Sequence, residues 1–157
     1  MDEPRWLDER ELRAWRDFLV VGSMVDRLVE QQLKDEAGLS HPQYEVLARL
    51  SEAPDGELRM TELAGVAVTS KSGLTYQVGQ LEKAGLVRRR SCESDVRGVL
   101  AGLTDAGWAK LREAAPGHAA LVREFFVDGL DCGRFTGLAD GLAALAAHLR
   151  ARLSPAA

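Results

Sequence analysis

Residues 60–107, MTELAGVAVTSKSGLTYQVGQLEKAGLVRRRSCESDVRGVLAGLTDAG, leave this chain few ways to fold. Ser70 has the side chain of a helix N-cap, and Gly85 suits a helix stop. Between them Leu74, Val78 and Leu81 fall on one side at 100° per residue and must face a core. Ser72, Tyr76, Gly79, Gln80 and Lys83 lie opposite, with Thr75 and Gln77 on the flanks. Upstream, Thr61 reads as the cap of a brief helix reaching residue 67. Downstream, residues 86–90 and 99–103 read as antiparallel strands joined by a polar loop, residues 91–98. The order is helix, turn, helix, strand, loop, strand. Arg88, Arg89, Arg90 and Arg97 lie in or beside the last loop.

The outer face of the second helix is polar but mostly uncharged, where a generic surface helix carries Glu/Lys pairs. Hydroxyl, amide and aromatic tips suit base edges, whose donors and acceptors are displayed in the DNA major groove. The helix N-terminus at Ser70 and Lys71 favours phosphate. Such an order makes a winged helix-turn-helix, with one helix in the groove and a β-ribbon on the backbone beside it. Gly73 and Gly79 each cost about 1 kcal/mol of helix propensity relative to alanine. Close approach of DNA is one explanation, and close packing of a neighbouring helix is another.

The net charge of −4 argues, taken alone, against nucleic acid. Its distribution reverses the argument. Residues 68–98 hold six Lys/Arg against three acids, so this window is +3 and the remainder −7. A basic patch on an acidic body binds polyanions locally. The plainer reading of the arginines is a solvated charge run.

The remaining sequence supplies helices. The first is expected over residues 7–37, with Asp8 and Glu11 at capping-box spacing and Gly38 as its stop. Leu12, Trp15, Leu19, Gly22, Leu28 and Leu33 keep roughly helical spacing. A helix of that length needs a partner surface, in this chain or a second copy. Ser40 and Gln43 repeat the capping pattern, with Pro42 in the first turn and Tyr44, Leu47 and Leu50 facing inward. Pro54-Asp55-Gly56 is a turn, and residues 58–60 a single short strand. Thr104 caps another helix, which Pro116-Gly117 is expected to interrupt before a continuation over residues 118–127. Asp131 caps the last, where Phe135, Leu138, Leu142, Leu145, Leu149 and Leu153 form a close-packing seam.

At 157 residues the chain suits one compact unit, mainly α with a small β-wing. No apolar run is long enough for a membrane span. The charged N-terminus predicts no secretory signal and a cytoplasmic location. The two cysteines, Cys92 and Cys132, lack metal spacing, and His41, His118 and His148 are scattered. No metal, cofactor or catalytic residue is expected. No glycine-rich phosphate loop and no nucleophile with an obvious base support an enzyme.

Asp95-Val96-Arg97 followed by Leu103-Thr104-Asp105-Ala106-Gly107 resembles the D-x-R…L-T-x-x-G wing pattern of the MarR family of winged helix-turn-helix transcriptional regulators. Residues 60–64 and 81–87 are similar to that family's helix-turn-helix, and residues 44–47 to the helix before it. The resemblance spans most of the chain. Val96 stands where the family usually has a second basic residue. In physical terms, an Asp two residues before an Arg in a hairpin turn holds the guanidinium in one direction, which suits a narrow minor groove. The plainer alternative is a surface ion pair worth about 0–1 kcal/mol.

The resemblance implies one MarR-like unit over residues 1–157. Residues 40–104 would bind DNA, and residues 7–37 and 105–154 would form a helical dimerisation part. It implies a homodimeric, sequence-specific DNA-binding regulator, a repressor, on a pseudo-palindromic double-stranded site. Ser72, Thr75, Tyr76, Gln77 and Gln80 would read bases, with Ser70 capping their helix. Lys71, Arg88, Arg89 and Arg90 would meet phosphates, and Arg97, set by Asp95, the minor groove. The resemblance further implies a small, aromatic-anion effector in a cleft lined by Trp15, Arg16, Leu19, His41, Tyr44, Trp108, Leu111 and Arg112. An arginine beside a tryptophan suits a carboxylate on a ring; plain core packing is the alternative for Trp15, Leu19 and Tyr44. Cys92, in a basic loop, is the candidate for a redox-sensing variant of this function. A winged-helix interaction module with weak or no DNA binding is the remaining alternative.

Overall fold

The computed structural model describes residues 4–66, 70–92 and 95–153, with only the backbone described at Val66, Cys92, Asp95, Val96 and Arg97. Among the described residues, six α-helices and three strands follow in the order α1 (Glu9–Ala37), α2 (His41–Ser51), β1 (Glu57–Arg59), α3 (Met60–Val66), α4 (Lys71–Lys83), β2 (Val87–Cys92), β3 (Asp95–Leu103), α5 (Asp105–Val122) and α6 (Cys132–Leu153). A 3₁₀ turn at Pro54–Gly56 precedes β1, and a π-helical turn at Arg123–Val127 follows α5.

Local signals set most of the boundaries. Asp8 and Glu11 form a reciprocal capping box at α1, as do Ser40 and Gln43 at α2. Ser70 caps α4 through the Gly73 amide, and Asp131 accepts from the Arg134 amide at the start of α6. Gly38 takes the left-handed conformation that ends α1.

The sheet is antiparallel in the order β1-β3-β2. One of its faces carries Val87, Ala101 and Leu103 into the core, where they meet Val29 and Leu33 of α1, Tyr44, Val46, Leu47 and Leu50 of α2, Leu63 of α3, Leu74, Val78 and Leu81 of α4, and Leu111 and Ala114 of α5. Full burial of each large side chain contributes about 1.5–3 kcal/mol. The core lies between residues 29 and 114. Residues 9–28 of α1 and all of α6 bury no residue in it.

Three expectations are corrected. Thr61 does not cap α3, which begins one residue earlier, directly out of β1; the Glu62 carboxylate accepts the Arg59 amide at 3.0 Å and leaves no extended residue at 61. The hairpin strands run further than the expected loop allowed, to Cys92 and from Asp95, and those two residues are paired. Asp95 and Arg97 therefore lie in a strand rather than in the turn. Pro116 does not interrupt α5, which continues to Val122. It sits on the exposed side of the helix, as does Arg112, whose carbonyl loses its N–H partner.

Candidate nucleic-acid interface

The inward set Leu74, Val78 and Leu81 fixes how α4 rolls on the core. Lys71, Ser72, Thr75, Tyr76 and Lys83 are consequently exposed, with Gln77 and Gln80 half-buried. Tyr76 keeps 62% of its surface open. The Thr75 hydroxyl donates to the Lys71 carbonyl at 3.0 Å, so it meets an incoming group as an acceptor and a methyl. Ser70 is committed to its cap. No atom comes within 4 Å of where a Cβ on Gly79 would lie. Packing of a neighbouring helix therefore does not explain that glycine, and the gap faces outward.

A cleft of about 490 Å³ runs between this helix and the sheet, lined by Arg59, Met60, Thr61, Thr75, Arg89, Gly98 and Val99. Alternation along β2 divides the arginine run. Arg89 lies on the core-side face, at the cleft. Its amide donates to one oxygen of Glu82 at 3.1 Å, and its Nε and a terminal nitrogen donate to the other. Those bonds tie the last turn of α4 to the wing and hold the Glu82 carboxyl below its usual range, the Arg89 side chain contributing most. Arg88 and Arg90 lie on the opposite, solvent face. Both reach Glu57, at 2.8 and 2.6 Å. Hydrogen bonds from Arg90 and then Arg88 lower the Glu57 carboxyl to about 2. The arginines expected to act as one phosphate-binding run thus point in two directions.

The side chains of Asp95, Arg97 and Cys92 lie outside the described residues, and with them the expected wing ion pair and redox site. Cys132 is a free, exposed thiol.

The residues expected to line an effector cleft fall in separate places. His41 and Tyr44 meet α5 at His118, whose ring lies 4.5 Å from that of Tyr44. His41 Nδ1 is 2.9 Å from Asp26 of α1. Burial, followed by the nearby His41, lowers the His118 pKa, with Glu45 opposing. Burial raises that of Tyr44. Trp15, Arg16 and Leu19 are exposed near the start of α1. At 1.5 Å per residue, Trp15 is about 16 Å along the helix from Asp26, too far to share a pocket with His41 in one chain. Trp108 packs against the Pro54–Gly56 turn, Leu111 is core, and Arg112 is exposed. Sequence reasoning missed Asp26, Glu57, Glu82 and His118. The glycine inside a strand at 102, a mark of close approach, was a signal for Glu57.

A family model described as the MarR family matches residues 39–99. Among curated proteins, the HTH-type transcriptional repressor YetL of Bacillus subtilis is 36% identical over 116 residues, covering 74% of this chain and 69% of YetL. Among solved structures, Sco3205, a MarR family transcriptional regulator of Streptomyces coelicolor in complex with DNA, superposes with a TM-score of 0.87. It is 40% identical, over 93% of this chain and 91% of that one. AbsC, a MarR family regulator of the same organism, gives a TM-score of 0.86 and 41% identity, over 94% of this chain and 99% of its own.

Proposed function

The chain belongs to the MarR family, and from that premise we propose that it is a homodimeric repressor whose α4 reads a pseudo-palindromic operator and whose hold on DNA responds to a small ligand. It is a DNA-binding transcriptional regulator rather than an enzyme. The observation that carries the finer reading is the face of α4: exposed hydroxyl and phenol groups with half-buried amides around an open glycine, beside a cleft lined by Arg89 and Arg59. Ser72, Thr75, Tyr76, Gln77 and Gln80 contact bases. Lys71 flanks them for phosphate, with Arg97 for the minor groove.

Dimerisation is supported by the apolar surface left at the two ends of the chain. Trp15, Phe18, Leu19, Val20, Val21 and Met24 on α1 and Leu138, Leu145 and Leu149 on α6 are all exposed, more than a lone folded chain ordinarily leaves open. Ligand response is supported at the α1–α2–α5 junction. There the Tyr44 and His118 rings meet, and His118 Nδ1 is buried without a hydrogen-bond partner. An aromatic anion would stack on the rings and accept from the imidazole. No helix among the described residues is long and apolar enough to cross a membrane, and a cytoplasmic setting follows from the proposed DNA target.

Fluorescence anisotropy with random and genomic duplexes, at low and high salt, tests the reading. Salt-sensitive binding with a subset of tight sequences supports it; no salt-sensitive binding would favour a winged-helix interaction module.

A further inference from the structure

Strand order places three residues in one row: Glu57 of β1 is paired with Gly102 of β3, which is paired with Arg88 of β2. Neighbouring strands lie about 4.8 Å apart, so a side chain from β1 must cross β3 to meet β2. Gly102 leaves that path open. A Cβ there would lie 2.6 Å from Glu57 Cγ and 2.8 Å from its Oε1. The Glu57 carboxylate crosses and meets both guanidinium groups: Oε1 accepts from Arg88 at 2.8 Å and from Arg90 Nε at 3.4 Å, and Oε2 accepts from Arg90 at 2.6 Å. Only 14% of the Glu57 side chain is exposed, against 57% for Arg88 and 48% for Arg90. The carboxylate is the covered centre of the cluster, and the arginines are its rim.

We propose that Glu57 is a positioning residue that lays Arg88 and Arg90 flat across the solvent face of the sheet, so that their charge is withheld from the DNA backbone and non-specific binding stays weak. Gly102 is the second half of the device, because any side chain there displaces the carboxylate. The inference rests on the DNA-binding reading of the fold. It assigns different parts to adjacent arginines: Arg89 braces the last turn of α4 through Glu82 on the cleft side, while Arg88 and Arg90 are restrained by Glu57 on the other face.

The test is a salt titration of the full chain on a random-sequence duplex, comparing wild type, Glu57→Gln and the double variant Glu57→Gln/Arg88→Gln. Each phosphate newly met by a freed arginine steepens the log–log slope by about 0.9, an extra loss of about 3.5-fold in affinity over a fourfold rise in salt. Glu57→Gln is expected to bind more tightly at low salt with the steeper slope, and removal of Arg88 to return it toward wild type. Gly102→Ala, which expels the carboxylate by a different route, should behave as Glu57→Gln does, and it stands in if that variant does not fold. A slope unchanged from wild type overturns the proposal, as does weaker binding with a shallower slope, which would mean that Glu57 aims the arginines at phosphate. If the wild type itself shows no salt-dependent binding, the DNA-binding reading fails and takes this inference with it.

Discussion

The Thr104 hydroxyl donates a hydrogen bond of 2.7 Å to the Gly85 carbonyl, joining the start of α5 to the end of α4. The same oxygen accepts the Gly107 amide at 3.0 Å and so caps α5. The Thr104 amide donates to the Leu86 carbonyl, and a Cβ on Gly107 would lie 2.1 Å from that carbonyl oxygen. The L-T-x-x-G half of the wing motif is therefore a mechanical joint. It couples the orientation of α4 to that of α5, the helix that runs toward α6.

Thr104→Ala removes a cap and a tie and should cost about 1–2 kcal/mol in urea unfolding. Thr104→Ser keeps both hydrogen bonds and should lose far less. Gly107→Ala drives a methyl into the Leu86 carbonyl and should cost about 2–3 kcal/mol. Equal midpoints for the Ala and Ser variants at 104 would contradict the joint.

The leucine seam of α6 supplies a second prediction. Leu145→Asp with Leu149→Asp places charges on a face that this chain leaves uncovered, each leucine being 46% exposed. Light scattering should report half the wild-type mass, with helical circular dichroism retained because the core lies between residues 29 and 114. A mass unchanged at micromolar concentration would place the dimer contact elsewhere.

His118 makes stability depend on pH. Its pKa is lowered in the folded chain, by burial first and then by His41. The unfolded chain takes up a proton near the ordinary value of 6.5 while the folded chain resists, so stability present above that pH is lost as pH falls. The His118 contribution to the slope is at most about 1.4 kcal/mol per pH unit. Unfolding midpoints between pH 7.5 and 5.5 should fall less for His118→Gln than for wild type. Parallel slopes for the two proteins would show that the imidazole does not resist protonation.

What the sequence made legible was what lies close along the chain. The caps at Asp8, Ser40, Ser70, Thr104 and Asp131 each involve partners three residues away, and the inward faces of α2 and α4 follow from helical period alone. The clamp of Glu57 on Arg88 and Arg90 was not legible, because it spans more than thirty residues and exists only through the strand order β1-β3-β2. The arginine run misled for a related reason: three like charges in a row look like one patch until strand alternation sends the middle one to the other face. The effector residues lie in separate places because α1 is 29 residues long, so residues that share a helical face lie well apart along it. Pro116 shows propensity yielding to context, since a helix held along one side by α1 tolerates a missing hydrogen bond on the other.

The claim on which the rest depends is that α4 reads DNA sequence in a twofold assembly. Selection from a random duplex library, with sequencing of the bound fraction for wild type and Gln77→Ala, tests it most directly. The expected result is a dyad-symmetric consensus with half-sites about 10 bp apart or a multiple of that, altered at one symmetric pair of positions in the variant. No consensus, or the same consensus from both proteins, would contradict it.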